Sequence, residues 1–240
     1  MKFKEKMIKL KNAILDALFP NDIKCIFCGR DIPSGDICDK CNQEEIYNNK
    51  NRCQVCDTPI KEGNIICDFC KNQNHERHFN KLSCPFIYDD YVRKSILQFK
   101  SDGAKYLAKH FAQYIAQRLE VEQIEFDIII PVPSHKDSIK KRGYNPACVL
   151  AEELSKITGK SLEDVFVKTR KTQNQKHLDY KERQINLENS ITLSNHDIVK
   201  DKNILIIDDI ITTGATIEAC AKLLLNAKNI YGCAIARRSI

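Results

Sequence analysis

Two adjacent carboxylates, Asp208 and Asp209, are the side chains of this sequence best placed to do chemistry. They directly follow four branched aliphatic residues, Ile204 to Ile207, which predict a strand buried on both faces of a parallel sheet. Open α/β sheets bind their ligands at the carboxyl ends of the strands. The acid pair therefore marks a predicted binding edge.

The residues after the acid pair predict a phosphate site. They are small or hydroxylic, and the apolar stripe that follows from Ile217 to Leu225 predicts a helix. A loop of this kind that opens a helix presents free backbone N–H groups, and threonine hydroxyls add further donors. Two acids would repel a phosphate unless a hydroxylic or positive group lay between them, and a sugar diol with a divalent cation meets that need. The predicted loop residues are Thr212, Thr213, Gly214, Ala215 and Thr216.

Two other interpretations apply to the acid pair. The acids are ordinary turn residues and Thr216 is a helix N-cap, or the chain is a phospho-acceptor receiver domain, which also has acids at a strand end. The second lacks the Thr-Thr-Gly-Ala-Thr turn, and the order of strand, acids, loop and helix favours the phosphate site over the first.

Eight of the 12 cysteines form four C-x-x-C pairs within about 46 residues. Two such pairs offer four thiolates for tetrahedral zinc, and pairing of nearest neighbours closes the shorter loops. Free thiols, a redox pair and an iron–sulfur cluster are the alternatives. Two structural Zn²⁺ sites are therefore predicted, with the ligands Cys25, Cys28, Cys38 and Cys41, then Cys53, Cys56, Cys67 and Cys70.

The composition is that of an ordinary soluble globular protein. The 240 residues are 42% hydrophobic and 29% charged, with a formal net charge of +6, and no apolar run approaches the ~20 residues that span a bilayer. Lysines interrupt the N-terminal apolar positions, so we expect an amphipathic helix there rather than a secretory signal. The predicted domains are a helix over 1–20, a double zinc-ribbon module over 21–78 and a larger domain over 79–240.

The larger domain alternates between predicted helices and strands, which indicates an α/β fold with a mostly parallel sheet flanked by helices. Its helices and strands are predicted over Asp89–Phe99, Tyr106–Leu119, Phe126–Ile130, Asn145–Ile157, Val165–Val167, Ile191–Leu193, Ile204–Ile207 and Tyr231–Ala236.

Two basic clusters are predicted at the same edge of the sheet as the acid pair. One follows the strand Phe126–Ile130, and the other is the long polar connection Lys168–Asn186, whose composition is typical of an active-site lid. Both would neutralise a polyphosphate, although a solvated basic surface is the alternative. The candidate residues are Pro133, Ser134, His135, Lys136 and Arg142 in the first cluster, and Lys171, Gln175, Lys176 and Arg183 in the second.

The acid pair and its loop resemble the phosphoribosyl pyrophosphate (PRPP) loop of type I phosphoribosyltransferases. The order of motifs along the chain, with cysteine pairs in front, resembles the ComF competence-protein family. That order is Pro131-Val132-Pro133, Lys141-Arg142-Gly143-Tyr144-Asn145, Gln175-x-x-Leu178-x-x-x-x-Arg183-x-x-Asn186 and then the PRPP loop.

The resemblance implies a type I phosphoribosyltransferase-like domain that binds PRPP with Mg²⁺. Asp208 and Asp209 would take the ribose 2′- and 3′-hydroxyls, the loop 212–216 the 5′-phosphate, and residues 133–136 the pyrophosphate. The segment Lys168–Asn186 would be the flexible loop. One element departs from the family, because its usual Lys-x-Arg-Gly-Asp-like sequence is Lys100-Ser101-Asp102-Gly103-Ala104 here.

The family resemblance also implies a role in natural transformation, in which incoming single-stranded DNA is handled at the cytoplasmic face of the membrane. Tyr144 and Tyr180 are then candidates for base stacking, with burial as the alternative. Other functions stay open: an active phosphoribosyltransferase on a small-molecule acceptor unrelated to DNA, a DNA-binding module whose PRPP site is regulatory, and a structural partner of a DNA-uptake helicase or pore.

Overall fold

The computed structural model describes residues 24–43, 46–48, 51–72, 77–101, 104–169, 190–195 and 197–238. The chain divides into two compact units, Met1–Glu44 and Glu45–Ile240. The first unit contains the first group of four cysteines, and the second unit contains the second group together with the sheets. The predicted helix over 1–20 lies outside the described residues, and the predicted domain limits at 20 and 78 stay predictions.

The described strands, in chain order, are β1 (Lys81–Ser83), β2 (Phe86–Ile87), β3 (Ile128–Pro131), β4 (Ser161–Leu162), β5 (Phe166–Lys168), β6 (Ile191–Leu193), β7 (Asn203–Ile207), β8 (Ile210–Ile211), β9 (Asn229–Cys233) and β10 (Ala236–Arg237). The described α-helices are α1 (Asp39–Gln43), α2 (Asp68–Lys71), α3 (Asp90–Phe99), α4 (Leu107–Val121), α5 (Lys136–Arg142), α6 (Pro146–Thr158) and α7 (Ala215–Ala221), and a 3₁₀ turn covers Asp197–Val199.

The central sheet has five parallel strands in the order β1-β9-β7-β3-β4. Its middle strand β7 carries Ile204 to Ile207, all of which are fully buried, as expected for a strand covered on both faces. Helices α4 and α6 pack on each other, while α6 also contacts β3 and α7 contacts β7. The predicted α/β fold with a parallel sheet and flanking helices is confirmed.

Two smaller sheets accompany the central one. Strands β2, β10 and β8 form a parallel sheet. In it β8, which is the two residues directly after the acid pair, pairs with β10. Strands β5 and β6 pair with each other in antiparallel register and form a hairpin whose connection is the predicted lid. Both strands are found where the sequence predicts strands, but they lie outside the central parallel sheet.

The second group of cysteines lies along the edge of the central sheet. The N–H of Leu82 in β1 donates to the carbonyl of Val55 (2.8 Å), and the N–H of Cys84 donates to the carboxylate of Asp57 (2.6 Å). Residues 55 and 57 therefore accept from the outward N–H of Leu82 in β1 and from the N–H of Cys84 directly after it. The sulfur-bearing residues Cys53, Cys56 and Cys67 belong to the same buried cluster as the strands.

A buried network of charges strengthens this contact. Asp57 is fully buried and accepts from Arg52 (2.6 Å), which also donates to Glu122 (2.7 Å) at the end of α4. Glu122 pairs further with Arg118 (2.6 Å) and Lys81 (2.9 Å). Burial raises the pKa of Asp57 to about 7, against the lowering effect of the Arg52 charge. The network thus joins the second cysteine group to a helix and to an edge strand of the central domain.

Candidate functional site

The acid pair lies at the carboxyl end of β7. The N–H of Asp208 donates to the carbonyl of Cys233 (2.9 Å) in β9, and the N–H of Asp209 donates to the Asp208 carboxylate (2.7 Å). Both acids are half-buried. Hydrogen bonding to the neighbouring strand therefore fixes the backbone of the pair while the carboxyl groups stay within reach of a ligand.

The acids stand at a switch point of the sheet. Strands β3 and β7 are neighbours, but the chain leaves β3 toward β4 on one side and leaves β7 toward β9 on the other. Such a divergence opens a crevice at the carboxyl ends of the two strands, where α/β proteins bind ligands. The N–H of Val132 donates to the carbonyl of Ile207 (2.9 Å), so the segment after β3 begins beside the acid pair.

Two lysines balance the acids. The ammonium of Lys100 lies 2.8 Å from the Asp209 carboxylate, and both side chains are largely shielded from solvent. Lys168, at the end of β5, interacts electrostatically with Asp208. The sequence identified Lys100 only as a remnant of a family motif and Lys168 only as the start of the lid, so neither was predicted to face the acids.

The electrostatics of the site favour a protonated acid when no ligand is bound. Burial and, to a smaller extent, the neighbouring charge of Asp209 raise the pKa of Asp208 to about 7, while Lys100 and Lys168 act in the opposite direction. Burial also lowers the pKa of Lys168, against the effect of Asp208. A ligand that hydrogen-bonds to carboxylates would therefore bind best once Asp208 has lost its proton.

The predicted phosphate loop begins at Thr212 and is anchored at both ends. Before it, β8 pairs with β10; at the other end, Gly214 has a left-handed backbone (φ 82°) and a Cβ there would lie 3.1 Å from Leu82. The Thr213 hydroxyl accepts from the N–H of Ala215 (3.4 Å), and α7 follows. The left-handed backbone favours glycine at Gly214, and a side chain there would be strained and would also displace the end of Leu82.

The first basic cluster follows β3 and is held by Asn145. Its side chain accepts from the Ser134 hydroxyl (2.9 Å) and donates to the Val132 carbonyl (2.9 Å). His135 caps α5, a helix that the sequence did not predict because its seven residues lack an apolar stripe. Lys136 is in the first turn of α5 and Arg142 in the last, about 9 Å apart along the helix axis. Contact of Pro133, Ser134, His135, Lys136 or Arg142 with a pyrophosphate stays a prediction.

The second basic cluster falls outside the described residues, and with it Lys171, Gln175, Lys176, Arg183 and the candidate stacking residue Tyr180. The described ends of this segment are joined, because the N–H of Thr169 donates to the carbonyl of Ser190 (2.9 Å). This bond extends the β5–β6 hairpin, which carries Lys168 toward the acid pair.

Tyr144 is buried rather than available for base stacking. Its hydroxyl donates to the carbonyl of Phe99 and to that of Ser101 (3.2 Å), and the ammonium of Lys105 lies 4.7 Å from the centre of its ring. The two carbonyls flank Lys100. Tyr144 therefore supports the turn from which Lys100 reaches Asp209.

The eight paired cysteines form two separate four-sulfur groups, as nearest-neighbour pairing predicts. The Sγ atoms of Cys28 and Cys38 are 3.6 Å apart, as are those of Cys56 and Cys67. Zinc–sulfur bonds of about 2.3 Å in a tetrahedron give sulfur–sulfur separations of about 3.8 Å. The two groups consequently fit zinc, and all-sulfur coordination that leaves no open position indicates a structural rather than a catalytic metal.

Two of these thiols have the acidity expected of ligands. A hydrogen bond from Cys70, joined by the positive charge of Arg237, lowers the pKa of Cys56 to about 4. The backbone N–H of Cys41 lowers the pKa of Cys38 to about 7. Each group therefore contains one sulfur that is readily ionised, which favours metal binding at neutral pH.

Within the described residues, no helix combines the length and the apolar composition that crossing a membrane requires.

Comparison with known proteins gives two family matches. The phosphoribosyl transferase domain matches residues 104–236, and the double zinc ribbon domain matches residues 14–71. The first covers the acid pair, its loop and most of the central sheet, and the second covers all eight paired cysteines. Both predicted modules are confirmed.

Relatives that match this chain along most of its length are named for competence and for DNA use. Competence protein F of Haemophilus influenzae is 26% identical over 212 residues, which cover 85% of this chain and 91% of the relative. Competence protein ComFC of Bacillus subtilis is 24% identical and covers 87% and 80% of the two chains. DNA utilization protein YhgH of Escherichia coli O6:H1 is 26% identical and covers 79% and 84%. The chain belongs to the phosphoribosyl transferase domain family, and it is related to the ComF competence proteins along most of its length.

Proposed function

We propose that this protein binds PRPP with Mg²⁺ at the acid pair and acts in DNA uptake during natural transformation, where it handles incoming single-stranded DNA in the cytoplasm, at the inner face of the membrane. The observation that carries the PRPP proposal is the position of Asp208 and Asp209 at the switch point between β3 and β7, directly before a tightly anchored Thr-Gly-Ala-Thr loop. The names of the relatives support the DNA proposal.

The residues at the edge of the sheet have distinct roles in this proposal. Asp208 and Asp209 accept hydrogen bonds from the ribose 2′- and 3′-hydroxyls, while amide and hydroxyl groups of residues 212–216 donate to the 5′-phosphate. The ammonium of Lys100 pairs with Asp209 (2.8 Å), and the charge of Lys168 lowers the pKa of Asp208 against the effect of burial. Bound Mg²⁺ would supply positive charge to the pyrophosphate. Residues 133–136, Arg142 and the lid residues would surround that group.

Substitution of both acids tests the PRPP site. The double variant Asp208→Ala with Asp209→Ala should lose PRPP binding, measured by calorimetry with Mg²⁺, and should keep the circular dichroism of the parent. A double variant of two exposed acids, Glu120→Ala with Glu125→Ala, makes the same change in net charge and should bind like the parent. Parental affinity in the first variant would refute the assignment.

The DNA proposal has its own physical support in α5. This helix carries Lys136, Lys140, Lys141 and Arg142 within seven residues, and its three lysines are exposed. Cations of this density follow a phosphate backbone, and each contact with single-stranded DNA contributes a salt dependence of about 0.7 in log–log slope. Lys140→Ala with Lys141→Ala should therefore weaken binding to a single-stranded oligonucleotide and reduce that slope by about 1.4. An unchanged slope would exclude α5 from the DNA surface.

Catalysis on a small-molecule acceptor is the second candidate, and the same site geometry favours it. The reaction would displace pyrophosphate from ribose C1, with the acids holding the diol and a closed lid excluding water. Release of pyrophosphate from PRPP in the presence of nucleobases or amines measures it directly. Tight PRPP binding without any release would favour a regulatory site.

A further inference from the structure

Arg237 is a fully buried cation that joins two parts of the second unit. Its Nε donates to the carbonyl of Cys56 (2.7 Å), a member of the second four-cysteine site, and its Nη1 donates to the carbonyl of Ile211 (3.1 Å) in β8. Ile211 lies two residues after Asp209 and directly before Thr212. One guanidinium therefore links a predicted metal ligand to the strand that separates the acid pair from the phosphate loop.

A second contact reaches the other end of that loop. The N–H of Leu82 donates to the carbonyl of Val55, which lies between Cys53 and Cys56. The side chain of Leu82 packs under Gly214, where an added Cβ would lie 3.1 Å away. The turn that carries Cys53 and Cys56 thus contacts Ile211 through Arg237 and Gly214 through Leu82. It therefore supports the phosphate loop before Thr212 and again just before α7.

The contact of Arg237 with Cys56 and Ile211 should depend on the metal of the second site, because Arg237 is positively charged. In the described part of the chain its guanidinium is held by three carbonyl oxygens and no carboxylate, the third being that of Arg238 (3.2 Å). Among the described residues, its buried Nη2 has no oxygen acceptor. A divalent ion with four thiolates carries a net charge of about −2, and that charge would balance the buried guanidinium.

We propose that the second four-cysteine site positions the phosphate loop through Arg237 and Leu82, so that its metal occupancy sets the affinity for PRPP. Arg237 is a positioning residue in this proposal. It contacts the strand before the loop and has no proposed contact with PRPP. The choice of ligand rests on the proposed function, whereas the coupling between the cysteine site and the loop does not.

Substitution of Arg237 in the full-length protein tests the first link. Arg237→Gln should weaken PRPP binding by about tenfold or more in calorimetry, and Arg237→Lys, which keeps the charge, should recover part of the loss. Arg93→Gln removes an exposed arginine of α3 and should leave the affinity unchanged. Folded Arg237→Gln protein with parental affinity and parental loop exchange would overturn the proposal.

Hydrogen exchange of residues 208–216, followed by mass spectrometry, tests the coupling without PRPP and without a variant. Stepwise removal of zinc from the wild-type protein with a chelator should speed exchange in this segment in proportion to metal loss from the second site. Cys25→Ser with Cys28→Ser removes ligands of the first site only, and should leave exchange in the segment unchanged. Verified loss of metal from the second site with unchanged exchange would overturn the proposal, even if Arg237→Gln fails to fold.

The two measurements separate the two hypotheses. Absence of PRPP binding in the wild-type protein, together with metal-dependent exchange in residues 208–216, would refute the proposed ligand and support the coupling. Normal PRPP binding, together with exchange rates in residues 208–216 that do not change on metal loss, would support the ligand and refute the coupling.

Discussion

The two ribbons, residues 24–43 and 51–72, share a backbone design but differ in what they are attached to. The N–H of Cys25 donates to the carbonyl of Arg30 (2.7 Å), and the N–H of Cys53, 28 positions later, donates to that of Thr58 (2.9 Å). An isolated bridge closes each turn. The second ribbon is built into the core of the sheet domain, whereas the first belongs to the other compact unit.

A single position explains much of the difference. The residue after the second cysteine of each turn has a left-handed backbone, and it is Gly29 (φ 71°) in the first ribbon and Asp57 (φ 60°) in the second. Glycine adopts this conformation freely, whereas another residue is strained by about 1 kcal/mol. Asp57 has this strained backbone, and its carboxylate accepts hydrogen bonds from Arg52, Asn48 and the N–H of Cys84. The same turn therefore closes a metal site in both ribbons. In the second ribbon its aspartate also attaches the ribbon to the sheet domain.

Loss of the metal should affect the two ribbons most unequally. Cys53→Ser with Cys56→Ser should lower the midpoint of the cooperative unfolding transition of residues 45–240 by about 15 °C or more and leave the sheet domain folded at ordinary temperature, because the metal stabilises a turn that is built into the domain's core. Cys25→Ser with Cys28→Ser should leave that transition in place. Scanning calorimetry with a zinc assay measures both. A parental transition in the first variant after verified metal loss would contradict this expectation.

The left-handed position should give the next largest contrast. Asp57→Ala removes one of the two carboxylates that pair with Arg52 and leaves the buried N–H of Cys84 without its acceptor, and should lower the free energy of unfolding of the second unit by about 2–4 kcal/mol. Gly29→Ala has open space around its Cβ and should cost the first unit only about 1 kcal/mol of backbone strain. Urea unfolding curves compare the two. Equal losses would mean that Asp57 is only a turn residue.

The pH dependence of the acid pair should give a smaller effect, confined to the second unit. Because the pKa of Asp208 is raised to about 7, its favourable contribution is fully present below about pH 4 and is lost as the pH rises through 7. Asp208→Asn should therefore stabilise the second unit by about 1–3 kcal/mol at pH 8 and by less at pH 5. Thermal unfolding at the two pH values tests this, and a gain that does not change with pH would contradict it.

Features fixed by short stretches of sequence could be predicted. The spacing within Cys25–Cys41 and Cys53–Cys70 led directly to the two sulfur groups, because each ligand pair forms a local turn. The strand before Asp208 was equally clear, since four consecutive aliphatic residues are typical of a strand buried on both faces.

Contacts between distant segments could not be predicted. Lys100 and Asp209 are more than a hundred residues apart, and nothing in either segment indicates the other. Nothing in the sequence around Arg237 indicates that this side chain is fully buried. One signal was available for Asp57, because an aspartate stands where the first ribbon has a glycine, and a departure from glycine at a left-handed position calls for a reason.

The hydrogen bonds from Leu82 and Cys84 to residues 55 and 57 have a consequence for solubility. Among the described strands, β1 is at the edge of the central sheet and pairs with β9, about 150 residues later. An open edge of this kind recruits strands from other molecules and leads to aggregation. A fragment that begins after the second ribbon would expose those donors. The cysteine turn therefore protects this edge from pairing with strands of other molecules.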